Sequence, residues 1–489
     1  MRNKKLKLIT DICGIKNKKI LKLFNQMRKL LYSALFLTTL AVVFSSCSTD
    51  DTTTTSATAT VITDGTDALL SKPSKTYVDK GEGTGTITWT SGNVYVLDGL
   101  VFVNEGQTLT IEAGTVIKGA KTPSTGASAS ALVVARGGKI IAEGTASAPI
   151  IFTGESDDLN GALGTTQGEW GGLIVLGKAS LNSTPGQTAI EGIPTTESRG
   201  IYGGTEDTDN SGTLKYVSIR HGGAIIGADN EINGLTLGGV GSGTVIDYVE
   251  VFANKDDGIE WFGGTVSITH AVVGLCGDDS IDYDEGWNGQ NNQFFLIYQD
   301  PTGGDRGGEH DGGTSPETGT PFATPRFFNV TSVGNGTNRA MTLRDNAGGK
   351  YYNSIFYNWS KGIDIEYLNS TSSKDRYDNG DIVFANNTFG MIGGATTTQN
   401  DLFKVGVITD KEPTAAEQTA FQTKLQTELS NGNGNMVNDA VITRANVIPA
   451  TANTTVTGTA PTAANYRGAF SGSTDTWYAG WTATAGQIK

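Results

Sequence analysis

The chain has 489 residues, with 66 Gly, 12 Pro, 3 Cys, 3 His and 36 Lys and Arg against 50 Asp and Glu, a formal net charge of -14. At 18% charged and 37% hydrophobic residues, with Gly at about twice its usual share, it fits neither a helical bundle nor a disordered acidic tail and points to an all-β or repeat protein. The acidic balance excludes nucleic acid as a natural partner, and the scarce Cys and His exclude a disulfide framework and a local zinc motif, which leaves carboxylate or calcium chemistry open.

From Met27 the chain reads Met-Arg-Lys, then an apolar run from Leu30 to Phe44, then Ser45-Ser46-Cys47. A basic start, an apolar run too short for a stop-transfer helix and a small-residue cleavage site make a secretory signal. Because the cleavage site abuts a cysteine, residues 1–46 are read as a lipoprotein signal region with Cys47 as the acylated residue; the alternative is a plain cleaved signal with an incidental cysteine. Ser48-Thr49-Asp50-Asp51 resembles the acidic export signals of Bacteroidota surface lipoproteins, although Phe44 stands where most lipoboxes carry Leu. Met27 is an alternative start. Lipid at Cys47 would be the membrane contact, since no other run is long and apolar enough to span a bilayer. Residues 47–61, rich in Thr, Ser and Asp, read as a flexible stalk. Residues 62–489 are expected to form a single domain.

That body shows a repeat. Leu109-Thr110-Ile111, Gly114 and Ile117 align with Leu132-Val133-Val134, Gly137 and Ile140 at an offset of 23 residues, the size of one solenoid coil. Three strand-like runs follow one another in Ala131 to Ala135, Lys139 to Ala142 and Pro149 to Thr153, and similar runs continue to Phe294–Tyr298. Asn329, Asn353 and Asn387 each precede β-branched or aromatic residues, which suits a left-handed corner with amides stacked down the coil. Thr414-Ala415-Ala416-Glu417 forms a capping box before Phe421, Leu425 and Leu429, so one helix is expected within an insertion at 411–431, near 414–430. The aromatic-rich residues 465–482 are expected to cap the terminal core.

The runs Leu109 to Ile117 and Gly144 to Thr153 resemble right-handed parallel β-helix proteins of the pectin-lyase-like kind. Gly168-Glu169-Trp170-Gly171-Gly172-Leu173, Gly277-Asp278-Asp279-Ser280 and the Tyr466 to Trp481 end are similar to a group of poorly characterised Bacteroidota lipoproteins and secreted proteins. The resemblance covers roughly Thr86 to Thr482 and implies an all-β right-handed parallel β-helix. That fold hosts lyases, hydrolases, adhesins and structural proteins alike.

The densest polar stretch runs from Asn254 to Asp311. Asp256-Asp257 and Asp278-Asp279 are separated by 22 residues, about one coil, so they are expected at the same corner of adjacent rungs, about 4.8 Å apart. Such carboxylates bind a cation, raise a pKa or splay into solvent. Calcium is the expected ion, with Asp256, Asp257, Asp278 and Asp279 as its ligands. Asp278, Asp279, Asp282 and Asp284 are expected to divide between the two sides of a strand. Trp261, Trp287, Glu309 and Asp311 are candidate ligand-binding residues, the rings stacking on a sugar face and the acids taking its hydroxyls. His221 and His270 read as packing residues and Cys276 as a buried thiol.

Asn254-Lys255-Asp256 and Asp278-Asp279 are also similar to the Asn-Thr-Asp and Asp-Asp motifs of the polygalacturonase family, which implies Asp256, Asp278 and Asp279 as acid and base of an inverting hydrolysis. The chain departs from that family in lacking Gly-His-Gly and in carrying Arg344-Asp345-Asn346 where it has Arg-Ile-Lys; His310 and Arg344 would stand in. A lyase would instead need Arg344, Arg306 or Lys255 as base. Three functions are expected from these residues: a non-catalytic outer-membrane, cell-surface lipoprotein that binds polysaccharide or another envelope component, with calcium; a polysaccharide hydrolase or lyase; and a scaffold of an outer-membrane assembly.

Overall fold

Short runs of β-branched and aromatic residues, punctuated by Gly, Asn and Asp, wind into a parallel β-helix with three faces. The computed structural model describes residues 59–225, 231–313, 316–450 and 460–488; the signal region, Cys47 and most of the stalk lie outside the described residues. One face is a ten-stranded parallel sheet running from Leu100–Val103 to Phe403–Gly406; we call it the third face. The other two share a corner, where single strands such as Gly212–Arg220, Val245–Phe252, Ile268–Gly274 and Asn292–Tyr298 bend from the first face to the second. Among the described residues, no helix is long and apolar enough to cross a membrane.

The bend falls on one residue per rung: Tyr216, Tyr248, His270, Phe294 and Asn329 have φ between 48° and 63°. Asn353 and Asn386 continue the column, so the left-handed residue is Asn386 and not Asn387. Asn387 instead accepts the Ser354 N–H and donates to the Tyr351 carbonyl, at 2.8 and 3.1 Å. The expected amide ladder does not form. Asn329 bonds Gln293 and the Tyr466 carbonyl, and neither amide atom of Asn353 has a hydrogen-bond partner. The ladder is aromatic: Tyr216, Tyr248, His270 and Phe294 stack at 4.3, 4.1 and 4.9 Å. Contact between these rings offsets the steric cost of a left-handed aromatic residue.

The 23-residue offset is not a rung. Leu109 lies opposite Ile140 on the first face and Val101 opposite Leu132 on the third, both 31 residues on, because the loop at 120–130 lengthens the coil. The 22-residue spacing is a true rung, since Ile246 pairs with Ile268 and Ile259 with Ile281.

The helix Ala415–Leu425 begins at the Thr414–Glu417 capping box and continues into a π-helical turn, Gln426–Ser430; together they seal the interior with Phe421, Leu425 and Leu429. Tyr377 and Phe421 meet edge to face at 5.5 Å. The aromatic C-terminal end therefore has another task than the one expected. Phe470 and Tyr478 join Phe252, Val272, Leu296 and Tyr298 along the outside of the second face. That face is apolar on both sides and needs a cover there, whereas the end of the coil is already closed. The cover is fixed by buried Glu250, whose carboxylate accepts from the Ala483 and Thr484 N–H groups and from the Thr484 and Ser218 hydroxyls.

A second cover shapes the third face. Its outward residues begin apolar, with Phe102, Val133 and Ile174, and the insertion carrying Leu181, Ile190, Ile193 and Tyr202 packs on them. Past this cover the same outward column becomes Thr236, Glu260, Asp282 and Glu309.

Candidate functional site: an acidic cleft on the third face

Strand alternation decides which side chains enter the cleft. In Ile259–Phe262, Ile281–Asp284 and Gly308–Asp311 the interior takes Ile259, Trp261, Ile281, Tyr283 and His310. Glu260, Asp282 and Glu309 point outward in register on three successive rungs. Asp282 and Asp284 thus share the outer side of one strand and do not divide between sides, because their spacing is even and the corner pair Asp278-Asp279 precedes the strand.

Beside this column lies a corner that repeats. Asp257 Oδ1 accepts the Asp279 N–H at 2.8 Å, and Asp279 Oδ1 accepts the Arg306 N–H one rung further on. Gly258 is required at the turn, since a Cβ there would meet Val273 Cγ1 at 2.3 Å and the Ser280 carbonyl at 2.5 Å. The corner brings Asp256, Asp257, Asp278 and Asp279 together as their 22-residue spacing implied.

Loops complete the cleft. Glu191 arrives from the apolar cover and Glu231 from the segment before Asn233; Asn233 Nδ2 donates to Glu260 and, at 3.1 Å, to Glu191. The result is a cavity of about 310 Å³ lined by Asn233 and nine carboxylates. Three sets have carboxylate oxygens within 4.8 Å of one another: Asp256, Asp257 and Asp278; Asp257, Glu260 and Asp282; and Asp278, Asp279 and Asp305. These clusters could hold a metal ion. Oxygen donors alone, without thiolate or imidazole, suit a hard cation such as calcium.

Among the described residues, protein cations pair with three of the nine, Glu231, Asp279 and Glu309. Lys255 pairs with Glu231 at 3.1 Å. Arg306 pairs with Asp279, Asp305 and Glu309, and Arg344 with Glu309 and Asp311. Asp282 Oδ1 is buried without a hydrogen-bond partner. Burial, and then neighbouring carboxylates, lift the Asp256 carboxyl to about 7 and push Asp257, Glu260, Asp279 and Asp282 well above the usual carboxylate range. Burial also raises Asp278, with Asp305 adding to it.

Three candidate residues fall elsewhere. Trp261 and Trp287 are 0% exposed and stack on each other at 4.3 Å inside the coil, so neither offers a face to a sugar. His310 is equally buried; its Nε2 lies 2.6 Å from the Tyr351 hydroxyl, and burial pushes its pKa down to about 3, leaving a neutral packing imidazole. The proposed catalytic set therefore does not converge. Asp256, Asp278 and Asp279 face the cleft, His310 faces the core, and Arg344 is held by a bidentate bond to Asp311 at 2.7 and 3.0 Å. Arg306 and Arg344 have raised pKa values from their carboxylate neighbours against the opposing effect of burial, which works against either as a proton-abstracting base. His221 bonds the Thr166 carbonyl at 2.6 Å, His270 bonds Asp247 at 2.8 Å, and Cys276 is a buried free thiol.

Sequence reasoning missed Glu191, Glu231, Asn233 and Glu260. The signal for Glu260 was present in Ile259-Glu260-Trp261, an in-out-in triplet 22 residues before Ile281-Asp282-Tyr283. A family model described as a pectate-lyase-like β-helix domain matches residues 81–482. No curated protein and no solved structure matches the chain.

Proposed function

The chain belongs to the pectate-lyase-like β-helix domain family, and on that premise we propose that it is a non-catalytic surface lipoprotein, anchored in the outer membrane through Cys47, that binds calcium in the acidic cleft and through it an anionic glycan or other envelope component. The observation that carries this reading is a cleft of nine carboxylates of which, among the described residues, protein cations pair with three, Glu231, Asp279 and Glu309. Desolvated carboxylates at rung spacing repel one another, and a divalent cation relieves that repulsion while leaving coordination positions for an anionic ligand. Fold alone does not decide between binding and turnover. The carboxylate-paired arginines and the inward His310 favour binding.

The test is a glycan array read for retention and cleavage, with calcium and with chelator. Calcium-dependent retention of acidic glycans without cleavage is expected, at least tenfold weaker in the Glu260→Gln/Asp282→Asn double variant. Turnover lost in Asp278→Asn would replace binding by hydrolysis. Neither retention nor cleavage would leave the scaffold reading. The anchor is read separately: the expressed chain should partition into detergent, and Cys47→Ser should abolish this.

A further inference from the structure

Lys118 lies in the strand Val116–Gly119 and is 0% exposed. Its Nζ is 2.8 Å from Asp67 Oδ2, and the two side chains are 1% and 8% exposed. The amine also reaches the Glu155 carbonyl at 3.3 Å. An ion pair sealed from water in this way gains little for the fold, since two apolar side chains of similar volume would serve as well.

The position of the pair is more telling. Asp67 ends the strand Val61–Asp67, which pairs antiparallel with Lys72–Val78 at the start of an otherwise parallel array. The other six residues of that strand are exposed. Lys72–Val78 pairs with Val94–Leu97, and that strand with Val116–Gly119, so Lys118 stands two strands along the second face from the hairpin. The buried pair thus ties an exposed hairpin strand to the body of the coil.

We propose that Lys118 and Asp67 are the site of an intramolecular isopeptide bond. Proton transfer from the ammonium to the carboxylate gives a neutral amine and a neutral acid. Nζ then attacks Cγ of Asp67, the C–N bond forms, the C–O bond to the hydroxyl breaks, and the hydroxyl leaves as water with a proton from the attacking nitrogen. One water is released and nothing is oxidised or reduced. The fold holds amine and acid in contact, which converts a bimolecular condensation into an intramolecular one, and exclusion of water disfavours hydrolysis of the product. The amide would close a covalent loop from residue 67 to residue 118 and prevent the hairpin from peeling off. This inference does not depend on how the cleft functions.

The experiment is a peptide map of the purified, denatured full chain. Trypsin cleaves after a free lysine and not after an acylated one. The expected result is resistance at Lys118 and a branched peptide containing Asp67 and Lys118, lighter than the sum of its two linear parts by one water, with fragment ions that place the branch. Lys118→Arg should yield only linear peptides. Recovery of the wild-type chain solely as linear peptides cleaved after Lys118 overturns the proposal and leaves an ion pair; because that readout is made on the wild type, it stands even if a variant fails to fold.

Discussion

Asp282→Asn should raise the melting temperature of the cation-free protein at pH 7.5 and, in the same molecule, remove most of its stabilisation by calcium. The two effects have one cause. Asp282 stands in register between Glu260 and Glu309, with Oδ1 buried and unpartnered, so at neutral pH its charge is destabilising unless an ion or a proton compensates it. An amide removes the charge at nearly the same volume. Relief of roughly 1–2 kcal/mol is expected, read as about 1–2 °C in a folded body of this size. In the unsubstituted protein, calcium at 100 times its dissociation constant should add about 2.7 kcal/mol, an increment largely absent from the variant.

The pH dependence follows with a definite sign. Asp256 is lifted to about 7, and burial pushes Asp257, Glu260, Asp279 and Asp282 well above the usual carboxylate range. Between the ordinary carboxylate values of the unfolded chain and these folded values, the folded state binds more protons than the unfolded one. Stability of the cation-free protein must therefore fall as pH rises across that interval. Melting in chelator should be higher at pH 5.5 than at 7.5, and the increment from calcium should shrink at pH 5.5, where protons compete for the same oxygens. A chelated protein that melts higher at pH 7.5, or an Asp282→Asn variant that keeps the full calcium increment, would show that these carboxylates are not a cation site.

The coil and half of the cleft were legible because the rungs near Asp256 carry no insertions. There a constant spacing of 22 residues becomes a vertical neighbour, and the two Asp pairs stack from the spacing alone. Where loops lengthen the rung, as at 120–130, the same arithmetic joins strands of different faces. Glu191 was illegible for a non-local reason: it reaches the cleft only because Ile190 and Ile193 fold back onto Val133 and Ile174. The corner aromatics Tyr216, Tyr248 and Phe294 were also hidden, since a left-handed bulky residue is rare and is stabilised here by rings from other rungs. Trp261 and His310 failed differently. Their alternation is written in Ile259-Glu260-Trp261 and Gly308-Glu309-His310, where parity sends the ring inward whatever its residue type suggests.

Trp261→Ala should destabilise the protein by about 3–5 kcal/mol, a loss that a sugar-binding surface tryptophan would not produce. Its ring is 0% exposed, stacked on Trp287 at 4.3 Å and edge-on to Phe327 at 6.4 Å, so truncation opens a cavity that rigid neighbouring rungs fill only in part. Trp261→Phe should cost far less, for it keeps much of the stack and removes an indole N–H that has no partner, whereas Trp287 donates to the Val266 carbonyl at 3.0 Å. Because each rung of a solenoid leans chiefly on its neighbours, hydrogen exchange in Trp261→Ala should rise first in Ile259–Phe262 and Ile281–Asp284. Those strands also hold Glu260 and Asp282, so calcium binding should weaken indirectly in the alanine variant and persist in the phenylalanine one. Unchanged melting and exchange in Trp261→Ala, together with a tenfold loss of glycan retention, would return this ring to the surface and reverse the parity from which the cleft is built.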